Sequence, residues 1–177
     1  MLYLARHGQT AYNAAGRFQG WLPVPLDATG REQSRELAEL ASSVAPVTLA
    51  CSQIERARET AAIVGARLGL EPVIDERFAE TDAGDWTDRT FTEVIAEDPE
   101  GFARFAALDM EWGFPGGERL ADQQARVLTA IADWRGRHDQ HPVLVVCHGN
   151  TIRLALAALS PGSLTDERPE NGSIVAL

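Results

Sequence analysis

Hydrophobic residues along the chain fall into short uninterrupted runs, separated by longer stretches in which apolar and polar positions mix. The runs at 2–5, 47–51 and 143–147 are almost wholly apolar, which is typical of strands buried on both faces of a sheet. Two weaker segments, 72–75 and 173–177, have the composition of further strands. The pattern therefore predicts about five short strands.

In the intervening stretches apolar residues recur every three or four positions, which predicts helices. The stretches beginning at Thr29 and at Ser52 each open with a Ser/Thr-x-x-Glu pattern that resembles a capping box. Gly69 is a natural end for the second of these helices, because glycine readily adopts the left-handed conformation found after helix C-termini. Two further helices are predicted at about 120–137 and 150–159.

Strands that alternate with helices predict an α/β fold with three layers: a mostly parallel central sheet with helices on both faces. A length of 177 residues suits a single domain over 1–177. The proline- and glycine-containing segment at about 87–118 predicts an insertion of short helices that forms a small lid. Between positions 80 and 122 there are twelve acidic residues against three arginines. This excess fits either a solvated flap or a cover that disfavours highly anionic substrates.

Composition narrows the range of functions. The net charge of −10 argues against binding nucleic acid. All sixteen basic residues are arginines, so chemistry that needs a P-loop or Schiff-base lysine is excluded. No apolar run is long enough to span a membrane, and the start of the chain is too short to be a signal peptide. A cytoplasmic location follows, in which Cys51 and Cys147 are expected to be buried, reduced thiols.

The residues that follow the apolar strands carry the chemistry. Arg6 and His7 follow the first strand, Arg56 lies soon after the second, and His148 follows the run at 143–147. Because the carboxyl ends of parallel strands share one edge of a sheet, these side chains are expected to converge. Guanidinium groups match phosphate oxygens in pairs, and a neutral imidazole can attack phosphorus while a second one binds the transferring oxygens.

Sequence blocks around these positions resemble a known family. LARHGQTAYN at 4–13 is similar to the RHG signature of the histidine phosphatase and phosphoglycerate mutase family. Further blocks follow in the family's order: RFQG at 17–20, SQIERARETA at 52–61, Glu80 with Gly84 and Trp86, PGGE at 115–118, and VCHGN at 146–150. The resemblance covers almost the whole chain.

The resemblance implies a histidine acid phosphatase-type phosphomonoesterase that acts on a small phosphorylated metabolite and uses neither a metal nor another cofactor. His7 would be the nucleophile that becomes phosphorylated, and Glu80 would protonate the leaving oxygen and later activate water. The phosphoryl oxygens would be held by four side chains, those of Arg6, Asn13, Arg56 and His148. Catalysis would thus rest on His7, Glu80 and His148. Neither the natural substrate nor the oligomeric state follows from the sequence.

The chain departs from the family's pattern near the expected pocket. Tyr12 stands where the family usually has tryptophan, and Thr87 and Asp88 stand where many phosphatase relatives carry Glu-Gly. The run after Glu80 lacks the arginine and tyrosine with which the mutase members bind the phosphoglycerate carboxylate, which favours a phosphatase over a cofactor-dependent mutase. Asp82 is an alternative acid. A non-catalytic phosphoryl-ligand binder of the same fold is a further alternative, although it would not need the acid.

Two other patterns compete with this interpretation. Cys147 to Arg153 fits C-x5-R, the loop of cysteine-dependent phosphatases, in which a thiolate attacks phosphorus. The glycine falls second after the cysteine rather than third, and a leucine follows the arginine where a hydroxyl residue is usual. His138 and His141, spaced as HDQH, fit either metal ligands or a solvated turn before a proline.

Overall fold

The computed structural model describes residues 1–138, 141–163 and 168–177. Within them the chain forms a five-stranded sheet of order β3-β2-β4-β1-β5. The strands are β1 (Leu2–Arg6), β2 (Thr48–Cys51), β3 (Val73–Ile74), β4 (Val143–Cys147) and β5 (Ile174–Ala176). The first four pair in parallel, and β5 runs antiparallel to β1 at one edge. The mostly parallel sheet is therefore confirmed.

Helices cover both faces of this sheet. They are α1 (Ala11–Ala14), α2 (Ala28–Val44), α3 (Glu55–Leu68), α4 (Phe91–Glu97), α5 (Pro99–Ala106), α6 (Leu120–Arg137) and α7 (Gly149–Leu159). The α6 and α7 helices bury their apolar sides against one face, and α2 and α3 bury theirs against the other. The prediction of a three-layer α/β fold is correct.

The central strand β4 shows why its sequence is continuously apolar. Val143, Val145 and Cys147 face the layer of α6 and α7, whereas Leu144 and Val146 face the layer of α2 and α3. All five side chains are buried, because successive residues of a strand point to opposite faces and both faces are covered. A strand with one solvated face would have alternated instead.

The start of α2 differs from the prediction. The Asp27 side chain caps this helix by accepting a hydrogen bond from the backbone nitrogen of Gly30 at 2.7 Å. The helix thus begins before Thr29, and the capping box predicted there is wrong. The position of Gly30 is set by close packing, since a Cβ on it would lie 2.0 Å from the backbone oxygen of Gln9. That contact anchors the loop after β1 to the first turn of α2.

The capping box predicted at Ser52 is also wrong. The N-cap residue of α3 is Ile54, and the Ser52 hydroxyl accepts a hydrogen bond from the backbone nitrogen of Ile54 at 3.2 Å. Ser52 therefore belongs to the turn that precedes the helix. The other end of α3 is as expected, because Gly69 adopts a φ of 69° and terminates the helix.

The segment 87–118 contains α4 and α5, and five of its aromatic rings cluster with two rings from outside it. The members of this aromatic cluster are Phe18, Trp86, Phe91, Phe102, Phe105, Trp112 and Phe114. Most acidic side chains of the region are exposed, which favours the solvated-flap interpretation. No helix in the parts of the chain that the structure describes has the length and hydropathy needed to cross a membrane.

Candidate active site

A cavity of about 260 Å³ opens at the carboxyl edge of the sheet, where β1 and β4 end. Five predicted site residues line it: Arg6, His7, Asn13, Arg56 and Glu80. His148 lies directly against His7, with 5.2 Å between the two ring centroids. The structure thus brings together all six side chains that the sequence analysis singled out.

A hydrogen bond to the backbone of the next residue holds the His7 ring in one tautomer. Its Nδ1 lies 2.7 Å from the carbonyl oxygen of Gly8, so Nδ1 carries the proton and donates it. Its Nε2 accepts a hydrogen bond from Arg56 Nε at 3.2 Å and therefore keeps a lone pair. Burial, together with the positive charges of Arg56 and Arg6, holds the pKa of His7 well below its usual value. The imidazole is consequently neutral and nucleophilic at neutral pH.

Arg56 is buried in the first turn of α3, with 1% of its surface exposed. Its Nη2 donates to the carbonyl oxygen of Gly20 at 2.9 Å and its Nη1 to that of Leu22 at 3.2 Å. Burial lowers the pKa of Arg56 to about 10, which still leaves it charged at neutral pH. Two backbone carbonyls therefore orient a full positive charge beside the His7 ring.

Arg6 ends β1 and is held from the far end of the chain. Its Nη1 donates to the carbonyl oxygen of Pro169 at 2.5 Å, and its backbone nitrogen donates to that of Ser173 at 3.0 Å. The Nε atom is buried and has no hydrogen-bond partner among the described residues. Burial lowers the pKa of Arg6, whereas the charge of Glu80 raises it.

His148 is the N-cap residue of α7 and is fully buried. Its Nε2 lies 2.8 Å from the Ser52 hydroxyl. The same hydroxyl accepts from the backbone of Ile54 and lies 3.4 Å from Gln53 Oε1; if its proton goes to Nε2 instead of Gln53, the ring proton of His148 is on Nδ1. Nδ1 is a buried atom without a partner in the described parts of the chain. Burial, followed by the charge of Arg56, lowers the pKa of His148 well below its usual value.

Glu80 and Asp82 occupy different environments. The Glu80 carboxylate lines the cavity and accepts hydrogen bonds from the backbone nitrogens of Asn150 at 3.3 Å and Thr81 at 3.1 Å. Asp82 does not line the cavity, and its Oδ1 accepts from the backbone nitrogen of Gly84 at 3.1 Å. Of the two acids, Glu80 is the one placed to exchange a proton with a bound ligand.

Arg126, in the middle of α6, was not singled out from the sequence. Its Nη1 donates to the carbonyl oxygens of Arg77 at 2.8 Å and Ala79 at 2.9 Å, and its Nη2 donates to that of Glu80 at 3.0 Å. Its other bonds go to both carboxylate oxygens of Glu118. Arg126 therefore fixes the backbone that carries Glu80. The sequence gives no signal for this role, because Arg126 occupies an ordinary polar position of a helix.

Asn13 lies in α1, a short helix that the hydrophobic pattern did not predict. Its Oδ1 accepts from the backbone nitrogen of Thr10 at 3.1 Å and from Asn171 Nδ2 at 3.4 Å. The amide nitrogen of Asn13 is thus the group that remains to donate to a ligand. Gln19 also lines the cavity and was missed as a site residue, although it lies within the RFQG block.

The two competing patterns gain no support. Cys147 is fully buried and does not line the cavity, and burial raises the pKa of its thiol far above neutral, so it would not supply a thiolate. The His138 ring stacks on Trp134, with 5.8 Å between centroids. Positions 139–140 of the HDQH pattern lie outside the described residues. Among the side chains that are described, no group of three or more could hold a metal ion.

The side chains that meet in the site indicate a class of protein. Two neutral imidazoles, two oriented guanidiniums and one carboxylate meet at the carboxyl edge of a parallel sheet, which is the equipment for transferring a phosphoryl group through histidine. The sequence model of the histidine phosphatase superfamily (branch 1) matches residues 2–177. The chain belongs to this superfamily, as the RHG block predicted.

Characterised relatives point to the same class. The glucosyl-3-phosphoglycerate phosphatase of Mycolicibacterium vanbaalenii is 39% identical over 166 residues, which cover 89% of this chain and 73% of the relative. Phosphoserine phosphatase 1 of Hydrogenobacter thermophilus is 32% identical over 158 residues, which cover 89% and 75%. The structure of mycobacterial glucosyl-3-phosphoglycerate phosphatase with VO3 has a TM-score of 0.87 and 32% identity, and it covers 98% of this chain and 90% of its own.

The family and these relatives make the protein a phosphomonoesterase of the histidine phosphatase superfamily, which acts on a small phosphorylated substrate. The alternatives of a phosphoglycerate mutase and of a non-catalytic binder are not favoured.

Proposed function

We propose that the phosphoryl group is transferred to Nε2 of His7 and then to water. Nε2 attacks phosphorus, the bond from phosphorus to the ester oxygen breaks, and Glu80 gives its proton to the departing alcohol. A water molecule next attacks the phosphohistidine, Glu80 takes up a proton from it, and the bond between nitrogen and phosphorus breaks to release phosphate. The observation that supports this most directly is the His7 tautomer, whose Nδ1 proton is bound by Gly8.

The phosphoryl oxygens would be bound by groups that lie around His7. Arg56 contacts the attacking nitrogen itself, so its guanidinium is next to any phosphorus bonded there. Arg6 presents a buried Nε, and His148 presents a buried Nδ1, which carries the proton when Nε2 accepts from Ser52. The Asn13 amide nitrogen completes the set. Donors that are already in place are worth most in a water-poor site, because they need no reorganisation as charge develops.

Rapid quenching tests this mechanism. The protein is mixed with p-nitrophenyl phosphate, quenched in alkali to preserve phosphohistidine, and digested for mass spectrometry. The proposal expects phosphate on the peptide that contains His7 and multiple turnovers of the ester. Phosphate on a cysteine peptide, or turnover without any phosphorylated enzyme, would contradict it.

We also propose a reaction type, a lid and a location for the protein. A histidine acid phosphatase type of reaction is supported by the pairing of His7 with a proton-donating carboxylate. The segment 87–118 of a single domain over 1–177 would act as the lid, since Phe91, Phe105 and Phe114 line the cavity. A cytoplasmic location and the absence of nucleic-acid or membrane partners stay predictions from composition.

Activity is expected to persist in excess EDTA. The charge that would neutralise the phosphoryl oxygens comes from Arg6 and Arg56, whereas a magnesium-dependent enzyme would need several oxygen ligands around the metal. The rate of p-nitrophenyl phosphate hydrolysis before and after dialysis against EDTA measures this. Loss of activity that is restored by Mg²⁺ or Zn²⁺ would show that a metal takes part.

Mutase activity is expected to be negligible. The run after Glu80 lacks the carboxylate-binding arginine of the mutases, and Thr81 instead packs against Gln123 in the interior. The protein is incubated with 3-phosphoglycerate and a bisphosphoglycerate primer, and 2-phosphoglycerate is measured. Rapid formation of 2-phosphoglycerate would refute this prediction.

A further inference from the structure

The cavity concentrates positive charge in an acidic protein. Five of the sixteen arginines line it, namely Arg6, Arg17, Arg56, Arg153 and Arg168. Among the described residues a single acid, Glu80, lines it, although the chain has 26 acidic residues and a net charge of −10. This distribution exceeds what one phosphoryl group requires.

Three of the five arginines have identified roles. Arg6 and Arg56 converge on His7, as described above. Arg17 pairs with the carboxylate of Asp88 at 3.7 Å and donates to the carbonyl oxygen of the same residue. These contacts hold Arg17 at the rim of the cavity. Arg168 is therefore a further cation in the cavity wall, beyond the phosphoryl site.

Arg168 is held by aromatic rings. The carbon at the centre of its guanidinium lies 4.7 Å from the ring centroid of Phe91 and 5.0 Å from that of Phe105. None of the ion pairs formed among the described residues includes it. Burial and the nearby charge of Arg153 lower the pKa of Arg168 to about 10, so it remains charged at neutral pH.

Arg153 approaches the same part of the cavity from α7. Its Nη2 donates to the carbonyl oxygen of Ala106, at the end of α5, and thereby links α5 to α7. Both arginines line the cavity, and the charge of Arg153 helps to lower the pKa of Arg168. Among the described residues one acid lines the same cavity, so the ring-covered guanidinium of Arg168 is complementary to an anion.

We propose that Arg168 binds a carboxylate of the substrate while Arg6 and Arg56 hold its phosphoryl group. The substrates are then phosphomonoesters of small organic acids, and this inference rests on the proposed phosphatase function. A planar guanidinium that is covered by rings presents its N–H edge, which matches a carboxylate. The cavity of about 260 Å³ contains both charges, so one short molecule can reach both. In the mutases the carboxylate-binding arginine belongs to the run after the acid, whereas here Arg168 comes from the C-terminal segment.

The test compares two esters that differ in one group. 3-Phosphoglycerate carries a carboxylate where glycerol 3-phosphate carries a hydroxymethyl group. A charge-assisted pair predicts that kcat/KM for 3-phosphoglycerate is about 10- to 100-fold higher in the unmodified protein. Arg168→Gln is expected to abolish most of that preference. Because the preference is a ratio measured on one sample, it does not depend on the fraction of protein that is folded.

Two further variants complete the experiment. Arg137→Gln is the matched control. It removes an exposed arginine that lies over the ring of Trp134 at 5.6 Å and outside the cavity. This variant should keep the full preference. Arg168→Lys keeps the charge without the planar fork and should keep part of the preference, which provides a second readout if the glutamine variant is unstable.

The outcomes distinguish a failure of the carboxylate subsite from a failure of the phosphatase function. If the unmodified protein hydrolyses neither ester nor p-nitrophenyl phosphate, the phosphatase function fails. If it hydrolyses both esters equally, or if the preference survives in Arg168→Gln, the carboxylate subsite is wrong and the phosphatase function stands. Faster turnover of fructose 1,6-bisphosphate than of 3-phosphoglycerate would show that the second anion is a phosphate and would overturn the carboxylate assignment.

Discussion

His7→Ala is expected to abolish turnover of every phosphomonoester, with a loss of about 10³-fold or more, as is usual when a nucleophile is removed. The physical reason is specific to Nε2. This nitrogen keeps a neutral lone pair beside Arg56, and of the described histidines it is His7, not His148, that lines the cavity. Initial rates with p-nitrophenyl phosphate measure the loss, and thermal unfolding checks that the variant still folds.

The matched control is Cys147→Ser, which tests the C-x5-R alternative. Cys147 is fully buried in β4 and away from the cavity, so the serine variant should keep most of the activity. Retained activity in His7→Ala with loss in Cys147→Ser would reverse the assignment of the nucleophile. Loss in both would require a phosphoenzyme measurement on each variant to identify the phosphorylated residue.

Glu80→Gln is expected to lower kcat for an alkyl phosphate by about 10²- to 10⁴-fold, the usual contribution of a positioned acid–base group. An alkoxide is a poor leaving group and must be protonated as its bond to phosphorus breaks. Glutamine keeps the shape and one of the two backbone hydrogen bonds, because Thr81 donates to Oε1 and Asn150 to Oε2 and an amide has a single acceptor oxygen, but it cannot supply the proton. With p-nitrophenyl phosphate, whose leaving oxygen is a stable anion, the phosphorylation of His7 should suffer much less.

Single-turnover kinetics separate the two steps of the Glu80 variant. Release of p-nitrophenol measures phosphorylation, and decay of the phosphoenzyme measures hydrolysis, which should still be slow because water has lost its base. Asp82→Asn is the control, because its side-chain oxygen can still accept from the backbone of Gly84. If Glu80→Gln behaves like the unmodified protein on both esters and Asp82→Asn is inactive on the alkyl ester, the acid is Asp82.

The parts of the fold that follow from local pattern were predictable. The α6 helix has the predicted bounds, Leu120–Arg137, because its apolar spacing is regular over the whole length. The strand at 143–147 was evident because both of its faces are covered. The convergence of His7, Arg56 and His148 followed from the geometry of parallel strands, which places successive carboxyl ends at one edge.

The parts that depend on distant contacts were not predictable. A capping box is a local pattern, and at Thr29 it did not form: Asp27 caps the helix, and Gly30 packs closely against Gln9. Arg126 and Arg168 contact residues 46 to 77 positions away, and no spacing along the chain reveals such partners.

Two departures from the family's pattern turn out to be neighbours. The hydroxyl of Tyr12 donates to the Asp88 carboxylate at 2.7 Å. Asp88 adopts a φ of 67°, a conformation that favours glycine and rarely suits other residues. The family's usual glycine at this position is therefore explained by the backbone, and here the contacts with Tyr12 and Arg17 stabilise an aspartate instead.

The order of the strands has a consequence for how the protein acquires activity during synthesis. β1 is made before the other four strands, yet its partners in the sheet are β4 and β5, which follow about 140 and 170 residues later. The backbone nitrogen of Gly172 bonds to the carbonyl oxygen of Arg6, beside the nucleophile. The segment Leu2–Arg6 must therefore stay unpaired until β4 has been made, which slows folding and leaves an apolar segment exposed. Because the surroundings of Arg6 and His7 are completed by β4 and by the residues just before β5, turnover is expected to return during refolding only after these long-range strand pairs have formed.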